Sequence, residues 1–326
     1  MILSMRPPYE ITSQVLSLVS SISEKIGEAN SLFLDKQSPQ LRKQNKIRTI
    51  HSSLQIEGNT LSEEQITAIV ENKRIIGPQK DIIEVINAIA VYESLDSLKS
   101  VSEKSFLSAH GLMMKGLITQ AGAYRTSGVG VVKGSQVAHL APPAQNVPGL
   151  MKDLFNNLKN DQELALIKSC VFHYEMEFIH PFIDGNGRMG RLWQTIILKE
   201  RYSVFEFLPF ETLISQSQEE YYQALAASDK AGKSTIFIEY MLRIIDSSLE
   251  NLLKITGRTL TSDERISYFL TLGKNEFSRK DYMGVFKSLS TATASRDLKK
   301  ALEKEFFLAK GEGNQMRYFL NKNNNL

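Results

Sequence analysis

The stretch His180-Pro181-Phe182-Ile183-Asp184-Gly185-Asn186-Gly187-Arg188-Met189-Gly190-Arg191 concentrates the groups that phosphorus chemistry requires. Gly185 and Gly187 flank Asn186, so backbone N–H groups can approach a ligand closely, and a helix starting there adds its unpaired N–H groups and the positive end of its dipole. Such a turn is an anion cradle. Arg188 and Arg191, three apart on the first turn of that helix, each offer a planar fork to phosphate oxygens, so a polyphosphate fits better than a single phosphate. Asp184 supplies the hard oxygen that Mg2+ prefers, and Mg2+ commonly binds through few carboxylates plus substrate phosphates. His180 stands at the lip of the cradle, and an imidazole, with an ordinary pKa of about 6.5, can take a proton from a hydroxyl at neutral pH. A hydroxyl activated by His180 and a phosphorus held by the loop amount to nucleotidyl or phosphoryl transfer.

These residues need a scaffold, and the chain supplies a helical one. Of 326 residues 42% are hydrophobic and 23% charged, which excludes disorder as the main state and suggests two or three domains. Apolar residues recur at helical spacing over 11–34 (Val15, Leu18, Val19, Ile22, Ile26), 40–57 (Ile47, Ile50, Leu54), 80–98, 103–117 and 146–158. Thr60 and Ser62, followed by Glu63 and Glu64, open a short helix. In 162–179, Ile167, Val171, Tyr174 and Phe178 share one face, and Pro181 stops the helix. Further helices run from the loop to about Glu200, and over 216–228 and 233–256. Between Ala121 and Pro148, glycines and prolines surround Val129, Val131 and Val132, the mark of a β-hairpin flap. Past Thr256, helices at 262–271, 278–286 and 291–304 precede the pair Phe306–Ala309 and Met316–Leu320, a winged-helix pattern.

The loop resembles the signature of Fic-domain proteins, H-x-F-x-[DE]-G-N-G-R-x-x-R, with every specified position filled. Gly122-Ala123-Tyr124-Arg125, the flap ending Ala141-Pro142-Pro143 and the helix from His173 to His180 extend the resemblance over roughly residues 40–245. It implies a mainly α Fic fold with one hairpin flap and a C-terminal winged-helix-like domain, divided as 1–100, 101–255 and 256–326. The implied enzyme is a nucleotidyltransferase, a protein adenylyltransferase, in which a Ser, Thr or Tyr hydroxyl of a target protein, or of the enzyme itself, attacks the α-phosphate of ATP. His180 then becomes the general base, Asp184 the Mg2+ ligand, and Gly185, Asn186, Gly187, Arg188 and Arg191 the triphosphate site. The flap around Val132, Lys133 and Gly134 borders that site and docks the target by strand pairing. Tyr221 and Asp229 match positions on the adenine side. Ser53-Leu54-Gln55-Ile56-Glu57-Gly58 resembles the family's inhibitory pattern [ST]-x-x-x-E-[GN]. That resemblance implies a bidentate Glu57–Arg191 pair that takes the fork meant for the γ-phosphate, with Ser53 on the same helix face and Gly58 ending the helix.

Other patterns compete with this reading. Gly185-x-Gly187-x-x-Gly190 satisfies the dinucleotide fingerprint, but that motif must follow a strand, and here it follows a helix. His173, Glu177 and His180 share a face, yet a di-iron site needs a second such pair, so His173 is a packed, hydrogen-bonded histidine. His51, His110 and His139 stand alone and take the structural reading, and Trp193 reads as core or pocket wall. With one cysteine, Cys170, no internal disulfide forms, and no apolar run approaches the ~18 residues of a membrane span, so a cytoplasmic chain is expected. Net charge is +3; Arg296, Lys299, Lys300 and Lys304 face largely one way, which makes DNA a partner to test through 256–326, and a homodimer is a second. The alternatives left open are a DNA-binding regulator whose core senses nucleotide, and a Fic enzyme that removes AMP or transfers another phosphate-linked group.

Overall fold

The computed structural model describes residues 7–31, 39–133, 136–160, 162–256, 261–271, 274–286, 289–311 and 316–321. The chain divides into two compact units, the first Met1–Asp35 with Arg42–Leu252 and the second Lys36–Leu41 with Leu253–Leu326, so the first residues of the second helix fall in the second unit.

The first unit is built of helices α1 (Ser13–Ser31), α2 (Pro39–Ile56), α3 (Glu63–Val70), α4 (Gln79–Glu93), α5 (Glu103–Met113), α6 (Val147–Asn160), α7 (Ala165–Ile179), α8 (Asn186–Arg201), α9 (Glu211–Gln216), α10 (Gln218–Ala231) and α11 (Thr235–Thr256), the last of which runs into the boundary. Between α5 and α6 lies the expected hairpin, β1 (Gly130–Lys133) against β2 (Gln136–Leu140), antiparallel with Val131 opposite His139 and an irregularity after it. Ile47, Ile50 and Leu54 of α2 are buried, as the stripe requires. Ser62 alone caps α3, in a capping box with Gln65. Thr60, expected to share that task, instead gives its N–H and hydroxyl to Asp81 at 2.8 and 2.6 Å.

The pair α7 and α8 is the centre of the unit. The one-face stripe expected for α7 understates its burial: Leu166, Cys170, Phe172, His173 and Met176 are buried as well, while Phe178 is 37% exposed. The reason is position, since α7 packs on α6 with one side and on α8 with the other. Gly190 allows the close approach. A Cβ there would stand 2.6 Å from His173 Cδ2 and 3.0 Å from Glu177 Oε1, so the glycine that completes the apparent dinucleotide fingerprint serves helix packing. Beneath the loop lies an aromatic cluster: Phe106 stacks on Phe182 (5.4 Å) and meets Trp193 edge-on (5.0 Å). Trp193 is core, with its indole N–H on the Ser100 carbonyl at 2.9 Å. The sequence pattern missed α9, too short to show a period.

The second unit contains α12 (Ser262–Thr271), β3 (Glu276–Phe277), α13 (Arg279–Val285), α14 (Thr291–Glu303), β4 (Phe307–Lys310) and β5 (Arg317–Leu320). Its antiparallel sheet has the order β3-β5-β4, and α14 packs against α12, α13 and β4. The two-residue β3 left no sequence signal. Ile266, Phe269, Phe277, Tyr282, Leu298 and Phe307 form the core. On α14, Lys300 and Lys304 both pair with Asp263 at 2.8 and 2.9 Å, while Arg296 and Lys299 are exposed.

Arg265 and Asp297 are buried together, with Nε–Oδ2 2.6 Å and Nη2–Oδ1 2.8 Å, and the Tyr282 hydroxyl adds a bond to Oδ2 at 3.2 Å. Breaking such a pair leaves a buried charge. Asp297→Ala should therefore destabilise this unit by about 3–5 kcal/mol in urea unfolding of the full chain, while Arg265→Met with Asp297→Leu recovers most of the loss.

Candidate active site

The loop between α7 and α8 is held by backbone conformations that few residues adopt. His180 ends α7 in the left-handed region at φ 50°, and Gly185 precedes α8 at φ 87°. Arg125, 2% exposed, donates from Nε to His180 O (2.7 Å), from Nη2 to Ile179 O (3.3 Å) and from its backbone N–H to Pro181 O (2.9 Å). It also reaches Pro142 O at the exit of the flap (2.5 Å). The Asn186 side chain bonds both the N–H and the carbonyl of Phe182 at 2.9 Å. Asn186 thus closes the turn from within, where the sequence pattern suggested a ligand contact.

This frame leaves His180 half-buried at the lip. Its Nδ1 lies 3.4 Å from the Glu177 carbonyl; a carbonyl only accepts, so the proton belongs on Nδ1 and the lone pair on Nε2. Among the described residues the hydrogen bonds to the Asp184 carboxylate go to Oδ1, from Gly185 N–H (2.6 Å) and Arg188 Nη2 (2.9 Å), and the side chain is 45% exposed. Oδ2 could accept a hard cation. Among the described residues no group of three or more His, Cys, Asp or Glu side chains could hold a metal, so the donor set fits Mg2+ carried in with phosphates and does not fit a resident ion.

The two arginines are engaged differently. Arg188 pairs with Asp184 and, at 3.1 Å, with Glu84, whose other oxygen accepts from Asn59 at 2.8 Å. Arg191 is fully buried. Its Nε and Nη2 donate to the hydroxyl and carbonyl of Ser53 (3.2 and 2.9 Å), and Nη2 also donates to Glu57 Oε1 at 2.6 Å. The expected bidentate pair is therefore a single contact: Ser53 takes the Nε side of the guanidinium and shares Nη2 with Glu57, and Nη1 has no hydrogen-bond partner among the described residues. Burial disfavours the charge on Arg191, but Glu57, Tyr221 and Glu177 together outweigh it and raise the guanidinium pKa. Gly58, at φ 88°, lets the chain leave α2 beside Glu57. The Glu57 carboxylate projects into the cradle: a Cβ on Gly187 would overlap Glu57 Oε1 and stand 3.1 Å from Arg191 Nη1.

Tyr221 and Asp229 both lie on α10. Tyr221 is buried with its hydroxyl 3.0 Å from His173 Nε2, and Asp229 accepts from the Tyr174 hydroxyl at 2.8 Å. His173 is the packed histidine expected, bonded also to Gln194 at 2.7 Å, and burial pushes its pKa down to about 3. Val132 and Lys133 lie in β1, and Gly134 falls outside the described residues. Arg125, Glu84, Asn59, His110 and Glu211 carry parts of the site that the sequence pattern gave no role. Only Arg125 lay in a quoted motif.

Residues 100–198 match the Fic/DOC family. Over 99% of its length the chain is 39% identical to a Fic family protein from Desulfovibrio desulfuricans, covering 100% of that structure with a TM-score of 0.76. The chain belongs to the Fic family. Among curated Fic relatives it is similar to protein adenylyltransferase fic-1 of Caenorhabditis elegans, 27% identical over 230 residues, 67% of this chain and 42% of that one. A probable protein adenylyltransferase of Aquifex aeolicus is 26% identical over 200 residues, 58% of this chain and 60% of that one. The chain thus spans well under two thirds of the length of these curated relatives. No helix among the described residues is long and apolar enough to cross a membrane.

Behind Arg191 the Fic core buries Glu211 completely, with Oε1 3.5 Å from the Thr195 hydroxyl. Burial raises its pKa from 4.5 to about 8. A folded-state pKa above the unfolded one means that stability present below pH 4.5 is lost as pH rises through 8. Glu211→Gln cannot ionise, so its melting temperature should gain on wild type between pH 6 and 9; a constant difference across that range counts against the buried, protonated carboxyl.

Proposed function

We propose that this Fic protein is a protein adenylyltransferase that uses ATP and Mg2+ and is held in check by Glu57. The observation that carries the proposal is the meeting of the Arg191 Nη1 donor and the Glu57 carboxylate at Gly187, in a cradle that opens beside His180. A carboxylate in that place is a surrogate anion. It pairs with the guanidinium that a terminal phosphate would need, and the names of the curated relatives accord with adenylyl transfer.

In the proposed reaction His180 Nε2 takes the proton of a Ser, Thr or Tyr hydroxyl on a target protein or on the chain itself. The hydroxyl oxygen bonds to the α-phosphorus, the bond from that phosphorus to the bridging oxygen breaks, and pyrophosphate leaves. The N–H groups of the first turn of α8 face the phosphates, and Gly187 keeps the backbone open to them. Arg191 neutralises charge on the leaving group, and Arg188, tied to Asp184, orients that carboxylate. Mg2+, when bound through Asp184, would offset the negative charge of the triphosphate. The flap offers an edge of backbone groups to an extended target segment.

Glu57→Gly removes the competing anion. A charge-assisted hydrogen bond of this kind is worth about 1.5–3 kcal/mol, so AMP incorporation from labelled ATP should rise about ten- to hundredfold. His180→Ala in the same protein should return labelling to background. Equal labelling of wild type and Glu57→Gly removes the inhibitory role, and labelling that survives His180→Ala removes the proposed base.

A further inference from the structure

His110, in the last turn of α5, is fully buried and touches the loop without taking part in the chemistry proposed above. Its ring stacks face to face on Phe182, with centroids 3.5 Å apart and planes 6° from parallel. Nδ1 accepts the Gly122 N–H at 2.9 Å, and Nε2 lies 3.0 Å from the Asp184 carbonyl. An N–H can only donate and a carbonyl can only accept, so the two partners fix the tautomer with the proton on Nε2.

The remaining carbonyls of the turn show why this bond matters. Arg125 holds Ile179, His180 and Pro181, and Asn186 holds Phe182; the Asp184 carbonyl is held by His110. His110 also closes on the next residue, since a Cβ on Gly185 would stand 3.4 Å from Nε2 and 2.8 Å from Met114 Sδ. The peptide that aims Asp184 is thereby pinned to α5 and to Gly122, three residues before the Arg125 clamp. We infer that His110 is a positioning residue that sets the Asp184 carboxylate for the metal–nucleotide complex through its Nε2–H on the Asp184 carbonyl. This inference rests on the reading of Asp184 as the metal-holding carboxylate.

The test uses the full chain with Glu57→Gly as parent, and reads Mn2+ binding by electron paramagnetic resonance in the presence of a non-hydrolysable ATP analogue. His110→Phe keeps the ring on Phe182 and deletes both hydrogen bonds; it should weaken Mn2+ binding about tenfold, the lower end of what loss of an outer-shell partner costs. His110→Gln, whose amide can still donate toward Asp184, should recover most of that loss. A folded His110→Phe protein with the parent's Mn2+ affinity overturns the inference. Should His110→Phe fail to fold, His110→Asn and His110→Gln give the same decision: Asn reaches the Gly122 side only and should bind Mn2+ about tenfold more weakly than Gln, and equal affinities overturn it. A parent that binds the nucleotide analogue but no Mn2+ overturns the reading of Asp184 and this inference with it, whereas a parent that binds Mn2+ equally in all variants overturns this inference alone.

Discussion

A guanidinium with no solvent exposure must be met by acceptors on nearly every N–H, because an unpaired buried charge costs several kcal/mol. Arg191 is in that position, and the arrangement around it follows from this requirement. Ser53 satisfies one edge from α2, Glu57 supplies the counter-charge from the end of the same helix, and Nη1 is left facing Gly187. One short segment of α2 therefore both completes the buried arginine and places a carboxylate in the cradle. Removing the carboxylate leaves a cation still anchored by Ser53 and an anion site without its anion. In the proposed reaction that place receives the terminal phosphate.

The loop itself depends on being closed from outside. A turn with a left-handed histidine and a left-handed glycine leaves several carbonyls without helical partners, and it persists only when neighbours over-determine it. Arg125 holds the histidine end and His110 the aspartate end, while Asn186 spans the middle. The aromatic stack of His110, Phe182 and Phe106 fixes the floor. His180 and the Asp184 carboxylate are held by separate groups, Arg125 and His110, so displacing one need not displace the other.

What could be read from the sequence was local. Residues 180–191 are contiguous, and glycine, arginine and carboxylate at fixed offsets from a helix start have a chemical meaning wherever the helix lies. The α2 stripe and the four-residue step from Ser53 to Glu57 are likewise properties of one helix. The partners that hold the site are not local. Arg188 meets Glu84 at a separation of 104 residues, His110 meets Asp184 at 74, and Arg125 meets His180 at 55. Periodicity and propensity carry no information on such pairs, and a lone His110 or Glu84 looks like any other helical residue. The bidentate pair that the resemblance implied is a single contact, a geometry set by how α2 packs on α8 and not by any spacing within one helix. The same limit applies to α14, where the pairing of Lys300 and Lys304 with Asp263 was set by the packing of α12.

In the proposed inhibition the Glu57 carboxylate and the terminal phosphates of a nucleotide compete for one place beside Gly187 and Arg191. Calorimetric titration of wild type and Glu57→Gly with ATP and with AMP separates the two, because AMP lacks the phosphates that would reach that place. Glu57→Gly should tighten ATP binding about tenfold or more and leave AMP binding unchanged. An equal gain for both nucleotides, or none for ATP, rules the competition out.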